Sequence, residues 1–113
     1  MWQRSMELAK EIFKLTALFP KSELYGIVTQ MRRAVISICS NIAEGYGRNS
    51  PGEFKQFLGI ANGSALELET QLILSKELGY IKQNEFIKLE TILTEVLKML
   101  YSMMKKVNVN SKR

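Results

Sequence analysis

The stretch QMRRAVISICSNIAEGYGR, Gln30–Arg48, decides how the rest of the chain reads. Met31, Val35, Ile38 and Ile42 recur at three- and four-residue steps, the spacing of one helical face. Ser37, Ser40, Asn41 and Glu44 interrupt that apolar run. A helix that only filled a core would not need such a polar stripe. The stripe implies a specific partner surface, either within the chain or between subunits.

Working outward, Leu24, Ile27 and Val28 extend the rhythm toward the N-terminus, so the second helix is expected from Ser22 or Glu23 to about Gly45–Gly47. Ser22 is its N-cap candidate. Gly45, Gly47, Asn49 and Gly52 make the most glycine-dense stretch and read as a turn. Ser50-Pro51-Gly52-Glu53 then places a serine cap, a proline at the first helical position and a glutamate at the third, a capping box. Phe54, Phe57, Leu58, Ala61, Ala65, Leu68 and Leu72 trace one face of this third helix, and Leu78-Gly79 closes it. The fourth helix is expected from about Gln83 to Lys106, with Phe86, Leu89, Leu93, Val96, Leu100, Met103 and Val107 as an unbroken heptad seam. Before all of these, a first helix spans Trp2 to about Leu18 and ends at Phe19-Pro20. Its inward face reads as Trp2, Met6, Ala9, Ile12, Phe13, Thr16 and Phe19, with Glu7–Lys10 and Glu11–Lys14 as opposite-charge pairs on the exposed side. No segment alternates with period two over a useful length. The predicted fold is all-α, an antiparallel up-down-up-down four-helix bundle over residues 1–107, with 108–113 as a basic C-terminal tail.

Composition agrees with one soluble globular domain: 113 residues, 46% hydrophobic and 24% charged. No apolar run approaches the roughly 20 residues that cross a bilayer, and Glu7 and Glu11 interrupt any signal-like segment. Cys39 is the single cysteine and packs as a small hydrophobe in this reading. A cytoplasmic protein is expected, with no membrane partner. The net charge of +5 is local, because four of the 16 basic residues lie in Lys105–Arg113, leaving twelve against eleven glutamates before it. That tail reads either as a frayed solubility device or as a local steering charge for an anionic partner.

Apolar residues remain outside the core stripes: Ile60, Leu66, Ile73 and Leu74 on the third helix, and Ile92, Leu97, Met99 and Met104 on the fourth. They either widen the core face or pack identical subunits side by side.

Arg33, Ser37, Asn41, Glu44 and Arg48 share a face of the second helix by spacing. Two readings fit. One is a polar groove whose arginines hold an anion or an RNA backbone. The other is a structural network in which Glu44 and Glu67 or Glu69 neutralise Arg32, Arg33 or Arg48, while Ser37 and Asn41 bond neighbouring groups. Gly63, with Ala61, Ser64 and Ala65, makes a small-residue notch expected to receive the second helix. Gly45-Tyr46-Gly47-Arg48 combines flexible backbone, an aromatic ring and a cation, as a base-stacking, phosphate-holding loop would. It reads equally as a helix terminus with Tyr46 folded onto the bundle. An enzyme is not expected. The chain has no His and no Asp, Glu67 and Glu69 project about 200° apart, and a di-iron bundle site needs Glu-x-x-His. No metal and no cofactor are expected.

Met31–Arg48, MRRAVISICSNIAEGYGR, and Phe57–Leu72, FLGIANGSALELETQL, together resemble the ribosomal RNA intervening-sequence proteins, a four-helix-bundle family. The resemblance is close over roughly Ser22–Tyr80. One departure is Cys39, where relatives often carry a proline that would kink the helix. The resemblance implies an antiparallel bundle that assembles into a ring, usually a pentamer. It also implies kinship with the accessory variability determinant proteins of diversity-generating retroelements, basic pentamers that bind nucleic acid and a reverse transcriptase. The expected function is therefore a non-catalytic, ring-forming helical protein whose partner is RNA or a nucleoprotein. Its candidate cations are Arg32, Arg33, Arg48, Lys55, Lys105, Lys106, Lys112 and Arg113. The alternative is a protein-binding scaffold or assembly subunit that contacts no nucleic acid.

Overall fold

The computed structural model describes the backbone of residues 1–111 and the side chains as far as Val107. It holds four α-helices and no strands among the described residues: α1 Trp2–Thr16, α2 Thr29–Tyr46, α3 Pro51–Glu77 and α4 Gln83–Ser111. In space α2 lies between α1 and α3, and α4 packs on both α3 and α1. The helices enclose one core, with Leu8 and Ile12 from α1, Met31, Val35, Ile38 and Ile42 from α2, Leu58, Ala61, Ala65, Leu68 and Leu72 from α3, and Leu93, Val96 and Leu100 from α4. Polar side-chain pairs join α1 to α4 and α2 to α3. Arg4 meets Glu95 at 2.7 Å and Glu11 meets Lys88 at 3.3 Å, while Ser37 meets Ser64 at 2.7 Å and Ser75 meets Met31 at 3.6 Å.

The start of α3 follows its sequence closely. Ser50 takes extended angles and its hydroxyl accepts the Glu53 N–H at 3.1 Å, with Pro51 in the first turn where a missing N–H costs nothing. At the other end Gly79 has φ +80°, the Tyr80 N–H reaches the Ser75 carbonyl at 2.9 Å and the Gly79 N–H reaches Lys76 at 3.0 Å. This is a Schellman termination, which needs a residue that tolerates the left-handed region. The α4 seam is also as the heptad spacing predicts, with Phe86, Leu89, Leu93, Val96, Leu100 and Val107 buried and Met103 partly so.

Four local expectations are corrected. The buried stripe of α1 keeps the expected Ile12 and Thr16 but runs on through Leu8 and Ser5, and Trp2 and Phe13 lie on its exposed flank. Ser5 and Thr16 tolerate burial because their hydroxyls donate to the helix's own carbonyls, Trp2 at 2.6 Å and Ile12 at 2.7 Å. The second helix starts at Thr29, not Ser22. Lys21–Glu23 form one 3-10 turn and Leu24–Val28 one wide turn, in which Gly26 (φ −111°, ψ −113°) leaves helical angles, and Ser22 caps nothing. The predicted Glu7–Lys10 and Glu11–Lys14 pairs do not form; Glu7 pairs with Arg4 and Glu11 with Lys88 across the bundle. Finally, α4 continues through Ser111, past the end expected near Lys106.

The Gly63 notch is corrected as well. A Cβ at Gly63 would meet nothing within 4 Å, so this glycine faces open space. Ala61 and Ala65, fully buried, supply the close approach together with Ser64. The glycine that does sit against a neighbour is Gly45, where a Cβ would lie 3.3 Å from Phe54 Cδ1 and 3.4 Å from Phe57 Cβ.

Of the surplus apolar residues, Ile92 is core and Leu97, Met99 and Met104 are half-buried, so α4 widens its inner face. On α3 the outcome is the opposite: Ile60, Leu66, Ile73 and Leu74 are all exposed, between 42% and 48%.

Candidate nucleic-acid interface

The predicted cations divide into two groups. Arg32 and Arg33 lie near the start of α2, about 24 Å along a helix from Arg48 at about 1.5 Å per residue. Arg32 is turned onto α1: its Nε donates to Thr16 Oγ1 at 3.0 Å and its guanidinium sits 4.8 Å from the Phe13 ring centroid. This binds α2 to α1 and leaves Arg32 only partly accessible. Arg33 is exposed and has no ion pair among the described residues.

Arg48 belongs to the other end of the molecule, with Lys55, Lys105 and Lys106. Gly45 allows α2 to approach Phe54 and Phe57 closely, and Arg48 then folds back over the Phe57 ring at 4.9 Å. Glu44 pairs with it one turn back and Glu53 approaches to 3.7 Å from α3. Tyr46 leans on Phe54, centroids 5.4 Å apart and 46° between planes, so the loop's aromatic ring is a half-covered helix terminus. Lys55, Lys105 and Lys106 have no ion pair among the described residues. Arg4 meets Glu95, so the turns of α4 around Met103–Val107 run past the start of α1. That missing corner leaves a cleft of about 340 Å³, with Phe54, Met103 and Val107 as its apolar wall and Arg48, Asn49 and Lys106 at its polar edge. Lys112 and Arg113 lie outside the described residues.

The polar stripe of α2 meets α3 at Ser37. Ser37 Oγ and Ser64 Oγ are 2.7 Å apart, and Asn41 Nδ2 donates to the Ser37 carbonyl at 2.8 Å and to Ser37 Oγ at 3.1 Å. The two hydroxyls can share one bond in either sense, so this seam needs no charge. Glu44 joins Arg48 instead of this seam, and Glu67 is exposed with no ion pair among the described residues. Sequence reasoning missed Thr16 and Phe13 as the seat of Arg32. It also missed the cleft, whose walls come from residues about 50 positions apart.

No group of three or more His, Cys, Asp or Glu side chains is placed to hold a metal among the described residues. Burial raises the Cys39 thiol above its ordinary pKa, with a hydrogen bond to Ser5 opposing it. Glu95 is held below the usual carboxylate range mainly by its bonds from Arg4. No helix among the described residues is long and apolar enough to cross a membrane.

Fold and site thus define an all-α, four-helix protein with a basic, aromatic-lined end. A family model described as 23S rRNA-intervening sequence protein matches residues 1–102, and the chain belongs to that family. The chain is also similar to a crystallised protein with unknown function from the S23 ribosomal protein family of Bacteroides thetaiotaomicron VPI-5482. The two are 30% identical with a TM-score of 0.86, covering 92% of this chain and 97% of that one. No curated protein matches.

Proposed function

We propose that this protein is a non-catalytic antiparallel up-down helical bundle that forms a ring with copies of itself and binds RNA or a nucleoprotein in the cytoplasm. The observation that carries the RNA reading is Lys106 facing Arg48 across the cleft, with Lys55 and Lys105 next in sequence to residues near it, the three lysines without an ion pair among the described residues. Cations held on a rigid scaffold meet phosphates at little ordering cost, and a ring would multiply each weak contact into avidity. The family's description as a ribosomal RNA intervening-sequence protein supports the same partner class, and the resemblance to accessory variability determinants supports both ring and nucleic acid.

RNA binding is tested by titrating a labelled single-stranded RNA across a salt series. The expected log–log slope is about −0.7 for each phosphate contacted. Deleting Lys105–Arg113 should make the slope shallower. Failure to bind even at low salt would leave the scaffold reading.

That scaffold reading draws on a different observation, two unlike apolar surfaces. Trp2 and Phe13 of α1 and Ile36 of α2 are exposed away from α3, and Ile60, Leu66, Ile73 and Leu74 are exposed on α3. Unlike surfaces on one chain favour head-to-tail contacts, which close into rings when the rotation permits. Sedimentation at micromolar concentration is expected to give a species several times the 12.9 kDa monomer. Ile73→Lys, placing a charge in the contact, should shift it toward monomer. A clean monomer for the unaltered chain would remove the ring from either reading.

A further inference from the structure

We infer that the cleft between the α2–α3 turn and the end of α4 is a single-nucleotide subsite. It takes one unstacked base of single-stranded RNA against Phe54, with the adjoining phosphate on Lys106 and Arg48. This rests on the RNA reading above and makes it specific: the protein recognises RNA with a free base, not a duplex.

The volume, about 340 Å³, falls in the range of small-ligand sites, roughly 300–1,000 Å³. A surface that bound only the RNA backbone would need cations and no apolar wall. Here the wall is substantial, because Phe54, Met103 and Val107 face the space together. Phe54 is held in place by its contact with Tyr46 and by the close approach of Gly45. A fixed aromatic ring beside an opening is what an extruded base stacks upon, and stacking is tolerant of base identity. Bases inside a duplex have no face to offer, so the cleft selects loops, bulges and single strands.

The polar edge matches the rest of a nucleotide. Glu44 and Glu53 fix the Arg48 guanidinium over Phe57, and the trio together carries one negative charge. The charge that meets a phosphate must therefore come chiefly from Lys106 across the cleft, with Lys105 adjacent in the chain. Arg48 adds directed donors, because its two glutamate partners leave other N–H groups of the fork available. Asn49, exposed at the edge, brings an amide that can bond either a base edge or a ribose hydroxyl.

The test separates ring from charge by two variants of the full chain, probed by anisotropy with one RNA oligonucleotide presented single-stranded or fully paired. Phe54→Leu keeps apolar volume and removes the aromatic face. It is expected to weaken single-strand binding about 5- to 150-fold while leaving the salt slope unchanged. Lys106→Gln, at an exposed position, should make the slope shallower by about 0.7. The paired RNA should bind more weakly than the single strand to the unaltered chain. Wild-type affinity in Phe54→Leu, an unchanged slope in Lys106→Gln, or equal affinity for paired and single-stranded RNA would each overturn the subsite while the RNA reading stands. Absence of binding by the unaltered chain at low salt would overturn both. Thermal melts of each variant establish that a loss of affinity comes from a folded protein.

Discussion

Leu68→Ala is expected to lower stability by about 2–5 kcal/mol, the largest effect of any single change considered for this chain. Leu68 is fully buried at the middle of α3, among core residues from the other helices. Truncation removes the transfer free energy of three carbons and leaves a space that α3, held by its neighbours, cannot fully close. For a domain near 100 residues the midpoint of thermal unfolding should fall by on the order of 10–20 °C. Ile73→Ala, five residues along the same helix but 42% exposed, should change the monomer's stability by less than about 1 kcal/mol. Melts at one fixed concentration check both. A small effect at Leu68 would mean that α3 does not form the wall of the core described above.

Gly45→Leu should destabilise by about 1–3 kcal/mol, while Gly63→Ala should stabilise by about 0.5–1 kcal/mol. Both glycines lie within helices, and composition gives no means of telling them apart. At Gly45 a Cβ alone already approaches Phe54 and Phe57 at 3.3–3.4 Å, and Phe54 presents backbone oxygen as well as its ring. A branched side chain there forces α2 away from the start of α3. At Gly63 nothing lies within 4 Å, so alanine only removes the entropic cost of glycine in a helix. Denaturant titration of the pair decides it: equal destabilisation by both would restore the notch at Gly63.

The family stretch that dominates the sequence, Met31–Arg48, folds as one uninterrupted helix to Tyr46, with Cys39 buried in it. Met31, Val35, Ile38 and Ile42 became core because α2 is flanked by helices on both sides, while Ile36 stayed exposed. Its polar positions divided by direction: Ser37 met Ser64 of α3, Asn41 bonded back to Ser37 within α2, and Glu44 followed the chain to Arg48. Spacing placed all of these on one face, but it could not say which of them had a neighbour within reach.

Local signals were sufficient wherever the physics is local. Ser50-Pro51-Gly52-Glu53 starts a helix because the cap, the fixed φ and the carboxylate act within one turn. Gly79 ends a helix because only its own φ is at issue. The heptads of α4 set its buried face because seven positions recur unbroken, and the further apolar residues only widen that face. The α1 stripe was not decidable in this way. Trp2, Met6, Ala9 and Phe13 compete with Ser5, Leu8, Ile12 and Thr16, and the winning set carries two hydroxyls that lose nothing on burial because the helix itself satisfies them. The sequence by itself determined the helical class, the sharp end signals of α3 and the seam of α4, since each depends on residues a few positions apart. Only the tertiary structure decided which glycine is packed, which arginine is occupied, and that Phe54 and Lys106 share a cleft. Those outcomes depend on which helices meet at which height, and that is fixed by the packing of the whole core.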